Sequence, residues 1–214
     1  MAALSIAWGW PNVATVILVG FYGLLRIGEV LSARRLHLLT AIDMMEDTGR
    51  FYLRIEAPKT RRRGPRVQYT TVDEATTVKL VEALWQPLQQ DQRLCCFSAS
   101  AFRRRWDALV SALGLEKHHR MTPGSLRGGG AVWSHRRGDH ITDIMWKMRL
   151  QNVRTLTFYL QETTAMSLLP SLNPTQRTTI QCLQRLLPFF TDAVVSDASA
   201  KNVDSAHGFS WLAT

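Results

Sequence analysis

Apolar positions recur at helical spacing along most of this chain and alternate in only one stretch. Val13, Val16, Ile17, Gly20, Leu24 and Leu31 repeat at three- and four-residue intervals, predicting helix over roughly residues 11–36. Pro11 suits a first-turn position. Gly20, Gly23 and Gly28 are poor helix formers, so a break near Gly23–Gly28 should divide two helices. Apolar residues surround the first of these on most sides, as in a buried helix. Phe51 to Glu56 and Val67 to Val72 instead alternate, and the segment between them, Pro58 to Pro65, is rich in turn formers. That combination predicts an antiparallel hairpin with a long basic tip. Helical periodicity returns from about Glu74 to Leu88 and from Ser100 to Leu113, with Gly114 as a stop. It resumes after the loop at Thr122 as far as Arg137, then over Ile141–Met148 and Asn152–Tyr159. A last helix is expected over Thr175–Leu187, with Ile180, Leu183, Leu186 and Leu187 on one face. Beyond Thr191 the residues are small and polar without periodicity, which reads as a loose tail over 191–214. The fold class is mainly α with a small antiparallel β-hairpin or sheet (α+β). One domain covers residues 1–190, with its core over about 8–165.

Composition narrows the chemistry. Lys and Arg number 26 against 17 Asp and Glu, a formal charge of +9, and such an excess on a folded domain points first to nucleic acid. The longest apolar run, Val13 to Leu25, is too short to span a bilayer, so no membrane partner is expected. Three cysteines, Cys95, Cys96 and Cys182, give neither a disulfide framework nor a CxxC pattern. A reducing, intracellular compartment fits them best. No carboxylate or His/Cys group stands at metal-ligand spacing, and no cofactor is called for.

Two arginines are set in apolar and glycine-rich surroundings, Arg26 in Gly23-Leu-Leu-Arg-Ile-Gly-Glu-Val-Leu31 and Arg127 in Gly124-Ser-Leu-Arg-Gly-Gly-Gly130. Either could be a snorkelling side chain at a helix end. A buried guanidinium is otherwise costly unless it meets an anion, and its planar fork suits two phosphate oxygens. The glycines after Arg127 would let a phosphate backbone approach a helix start. In this order the segments resemble the tyrosine recombinases, the phage-integrase family. Leu24-Leu-Arg-Ile-Gly-Glu-Val looks like the family's first arginine box, with Arg26 and Glu29. Ala57-Pro-Lys-Thr-Arg resembles its lysine-bearing hairpin, pointing to Lys59. Gly124-Ser-Leu-Arg127 stands where the family has His-x-x-Arg. Asn152-Val-Arg-Thr-Leu-Thr-Phe-Tyr-Leu-Gln-Glu resembles the nucleophile segment, with Tyr159 in the attacking position.

The resemblance implies DNA strand cleavage and rejoining through a 3′-phosphotyrosyl intermediate, as in site-specific recombination or integration by a mobile element. Tyr159, Arg26, Arg127 and Lys59 would be catalytic: Tyr159 the nucleophile, the arginines a clamp on the non-bridging oxygens, Lys59 the general acid. Arg61, Arg62, Arg63 and Arg66 on the hairpin, and Arg103, Arg104 and Arg105 on a helix, would contact double-stranded DNA, on which a homo-oligomer could form. Two positions depart from the pattern: Gly124 replaces the histidine of the second box, and Leu150 the histidine or tryptophan nine residues before Tyr159. His118 and His119 are candidate substitutes for proton transfer. Glu29 reads as a partner that orients the arginines. The family's amino-terminal clamping domain has no counterpart here, as in a fragment, a minimal form or a mobile-element remnant. The alternatives are a catalytically impaired DNA-binding relic, a type IB topoisomerase-like nicking enzyme, and an all-helical partner-binding domain.

Overall fold

A computed structural model of the chain describes residues 1–46, 48–56, 67–116, 121–160 and 170–208, with side chains described as far as 201. The most apolar segment forms the centre. Helix α2 (Pro11–Tyr22) buries Val13, Ala14, Val16, Ile17, Leu18 and Val19 and packs against α1 (Ala2–Ala7), α3 (Ile27–Ser32), α5 (Ala75–Leu84) and α7 (Ser125–Arg137). It ends at Gly23, inside the interval the glycines predict. The first helix, α1, carried too few residues for its period to be read.

The hairpin forms as β2 (Phe51–Ile55) and β3 (Gln68–Val72), antiparallel, with Phe51 opposite Val72 and Leu53 opposite Thr70. Its alternation is a burial pattern: Phe51, Leu53, Ile55, Thr70 and Val72 face the core. A third strand, β1 (Leu38–Leu39), pairs with β2 and gives the order β1-β2-β3; two residues are too few to alternate visibly. The Thr70 hydroxyl donates to the Gly23 carbonyl at 2.7 Å, tying the sheet to the α2–α3 turn. Between β1 and β2 lies the short α4 (Ala41–Met44).

Helices α6 (Ala99–Ala112), α7, α8 (Ile141–Met148) and α9 (Val153–Tyr159) fall within a residue or two of the expected spans. Gly114 and Gly138 end their helices with φ of +64° and +94°, conformations that glycine adopts freely. The C-terminal helix differs. The sequence pattern ends it at Leu187, followed by a loose tail, whereas α10 runs from Pro174 to Gly208 with Pro188 inside it. The buried stripe continues: Ile180, Leu183, Leu187 and Val194 pack on the main core, and Thr191 is 1% exposed. A polar residue on the buried face and a proline on the chain hid that continuation. Lys79 of α5 pairs with Asp192 of α10 at 2.9 Å beyond the proline. Among the described residues no helix is long and apolar enough to cross a membrane.

Candidate active site

Three segments distant in sequence meet on one side of α7. The first is the α2–α3 turn. Leu24 there holds a left-handed backbone, φ +50°, which sends its side chain into a small buried cluster with Ala131, Ile144, Met148 and Leu156. Arg26 follows as the N-cap of α3, and the Glu29 carboxylate reaches back to accept from the Arg26 N–H at 2.8 Å and from its Nη1 at 2.9 Å. Glu29 is therefore fixed by the start of its own helix.

The second segment is the first turn of α7. Arg127 is 4% exposed. Its Nη1 donates to the Leu24 carbonyl at 2.7 Å and its Nη2 to the Met148 carbonyl, while Nε has no partner among the described residues. The guanidinium thus joins the α2–α3 turn to the end of α8. The third segment runs from Met148 to Tyr159. Arg149 closes α8 in the left-handed region, φ +54°, and its side chain turns inward: Nη2 donates to Glu29 at 2.6 Å and Nη1 to the Lys147 carbonyl at 2.9 Å. Tyr159, the last residue of α9, is 36% exposed.

The cluster is electrostatically unbalanced. Burial pulls the Arg127 guanidinium down to about 10, and the neighbouring charges of Arg149 and Arg26 push the same way, against Glu29 and Tyr159. Burial lowers Arg149 as well; Glu29 counteracts this and Arg26 adds to it. Among the described residues these three guanidinium groups have one neighbouring carboxylate, Glu29, which pairs with Arg26 and Arg149. Like charges packed together out of water are unfavourable unless an anion joins them.

The glycines after Arg127 have a different task from the one their position suggests. They bring helices together. A methyl group at Gly130 would stand 2.1 Å from the Phe21 carbonyl oxygen and 2.7 Å from Leu24 Cδ2, and one at Gly129 would meet the Phe21 ring at 3.3 Å. Gly130 is thus what lets α7 lie directly on α2. Gly128 alone faces the site: a methyl there would be 3.4 Å from the Tyr159 ring, an ordinary contact that places Tyr159 beside the first turn of α7.

Arg26, Arg127 and Tyr159 are thus brought together. Lys59, Arg61, Arg62, Arg63 and Arg66 lie outside the described residues, as do His118 and His119. On α6 the arginines are not equivalent: Arg103 is paired with Asp107, Arg104 is exposed, and Arg105 lies over the rings of Trp10 and Phe97 at 5.5 and 5.1 Å. Gly124, the N-cap of α7, is exposed with an ordinary backbone, and a side chain there would meet only Thr122 Oγ1 at 3.4 Å. Leu150 is half-buried against the small cluster. The residue that sequence reasoning missed is Arg149. In the sequence it is marked only as the residue before Leu150, one of the two positions that depart from the family's pattern.

The fold is that of the tyrosine recombinase catalytic domain. The chain is similar to the crystal structure of XerA recombinase, with a TM-score of 0.55 and 17% identity over 86% of this chain and 62% of that one. It is also similar to XerH site-specific recombinase bound to its difH substrate in a pre-cleavage complex, with a TM-score of 0.55 and 12% identity over 74% of this chain and 47% of that one. The chain thus spans less than two thirds of either structure. No family model and no curated protein matches its sequence.

Proposed function

We propose that this chain cleaves and rejoins DNA strands through a covalent bond to Tyr159. The observation that carries the reading is the cationic cluster of Arg26, Arg127 and Arg149, with Glu29 its one carboxylate among the described residues, beside an exposed tyrosine on a recombinase catalytic fold. A phosphodiester supplies the anion that such a cluster lacks. The Tyr159 oxygen attacks the phosphorus and its proton leaves to water. The bond from phosphorus to the 5′-oxygen breaks, and Lys59 donates a proton to that oxygen. Attack by the 5′-hydroxyl of another strand reverses the sequence, so bond energy is kept and no nucleotide is consumed. Arg26 and Arg127 hold the non-bridging oxygens where charge grows; losing one such donor costs roughly 10²–10³ in rate in other enzymes. The basic run Arg61–Arg63 with Arg66, and the exposed Arg104, serve as phosphate contacts that set affinity and salt dependence.

The test is incubation with a pool of nicked duplexes of randomised sequence, in which the released fragment diffuses away and traps the intermediate. Wild type should give a DNA-linked band on a denaturing gel and Tyr159→Phe none. Equal silence from both, with duplex binding intact, would leave a binding relic and overturn the enzyme reading.

A further inference from the structure

Arg149 is the least expected side chain of the cluster. Its backbone takes a left-handed conformation that glycine adopts at no cost, and two of the three non-glycine residues with positive φ among those described, Leu24 and Arg149, border this site. Its guanidinium is 5% exposed, yet Nε has no partner among the described residues. Its terminal nitrogens hold Glu29 and the Lys147 carbonyl. Neutralising Glu29 does not require it, because that carboxylate already takes two hydrogen bonds from Arg26. Leu150, the next residue, has no polar side-chain atom and packs on the small cluster. On this wall of the site the only side-chain donor that the 149–150 turn supplies is therefore Arg149.

From this geometry we infer that Arg149 is a third phosphate-binding guanidinium, held beside Arg127 by Glu29 until a DNA phosphodiester enters; the inference rests on the proposed function above. Glu29 becomes a shared rest position, and the strained turn at 149 is what aims the side chain inward. A lysine would keep the charge but lose the fork that grips Glu29 and an oxygen together.

The experiment measures binding of the full chain to a mixed-sequence duplex over a range of salt. Each phosphate contact contributes about 0.9 to the slope of log affinity against log salt. Arg149→Met should reduce the slope by about that amount, and Arg149→Lys should retain most of it. Lys201→Met, which removes an exposed charge paired with Asp197 on α10, should leave the slope unchanged. If Arg149→Met fails to fold, Glu29→Gln/Arg149→Met removes both halves of the buried pair and is compared with Glu29→Gln alone. The same loss of slope is expected.

A slope that does not respond to Arg149 in either background makes it a strut between α8 and α3 and overturns the inference, as does failure of the wild type to bind duplex. The two proposals separate cleanly. An Arg149-dependent slope without any Tyr159 adduct keeps this inference and removes the reaction. An adduct with an Arg149-independent slope does the reverse.

Discussion

Among the described residues the fold buries arginine in two places, and it treats them differently. Arg35, in the short 3-10 turn Arg35–His37 before β1, is 3% exposed, and every side-chain nitrogen has a partner. Nε donates to the Gln86 carbonyl at 2.8 Å, Nη1 to the Leu38 carbonyl at 2.9 Å and Nη2 to Asp43 at 2.7 Å. One cation meets one carboxylate, and Asp43 is itself held by the Thr40 N–H and hydroxyl. Around α7, among the described residues, three cations meet one carboxylate, and Nε of both Arg127 and Arg149 is left over. A guanidinium that staples a fold is completed by that fold. On the function proposed above, one that waits for a ligand is left incomplete. Burial alone does not separate the two places, nor does one unpartnered Nε, which Arg54 on β2 also has; the balance of charge does.

The comparison can be broken by stability measurements. Arg35→Met leaves two carbonyls and Asp43 without their partner and should cost about 3 kcal/mol in urea unfolding, the low end for a broken buried pair because Asp43 is partly exposed. Next in size is Gly130→Ala, about 1–3 kcal/mol, because its methyl meets backbone and α7 must shift from α2. Gly128→Ala, with only an ordinary contact to Tyr159, should be neutral or mildly stabilising, by up to about 1 kcal/mol. Smaller still, Arg149→Met should cost less than about 1 kcal/mol in the free protein: it loses the Glu29 attraction but also the burial of a charge and its repulsion with Arg127 and Arg26, while Glu29 keeps Arg26. A loss as large as that of Arg35→Met would erase the distinction.

The smallest expected effect is on acid stability. Burial alone would raise the Asp43 carboxyl, but hydrogen bonds from Arg35 and Thr40, together with the Arg35 charge, bring it below its ordinary value of 3.8. A depressed carboxyl stabilises the fold fully above the ordinary value and loses that contribution as pH falls through the folded one. Asp43→Asn should therefore flatten the dependence of stability on pH below about pH 4 and leave its slope at neutral pH unchanged.

Much of this architecture is legible from apolar periodicity, because α2, α6, α7 and the β2–β3 pair bury the faces that their patterns mark. What periodicity could not reach is instructive. Thr191 on a buried face and Pro188 within the helix concealed the extension of α10 to Gly208, since pattern reading treats polarity as exposure and proline as an end. At the candidate site, Arg26, Arg127 and Tyr159, which the fold brings near one another, were singled out by a resemblance to the family's motifs in order along the chain, with an unusual local context only for the two arginines. Arg149 was not, because its importance lies in a backbone turn and a partner 120 residues away, Glu29. The role of Gly130 was misread for a similar reason: an approach to Phe21 of α2 looks, in sequence, the same as an approach to a ligand.

The central claim is that Tyr159 carries the DNA. The most direct measurement is the mass of the trapped adduct after nuclease and trypsin digestion. The account predicts residual nucleotide on the peptide spanning residues 155–177, with fragment ions placing it on Tyr159, and no modified peptide from Tyr159→Phe. Nucleotide found on any other residue, or a wild-type chain that binds nicked duplex and yields no modified peptide, would contradict it.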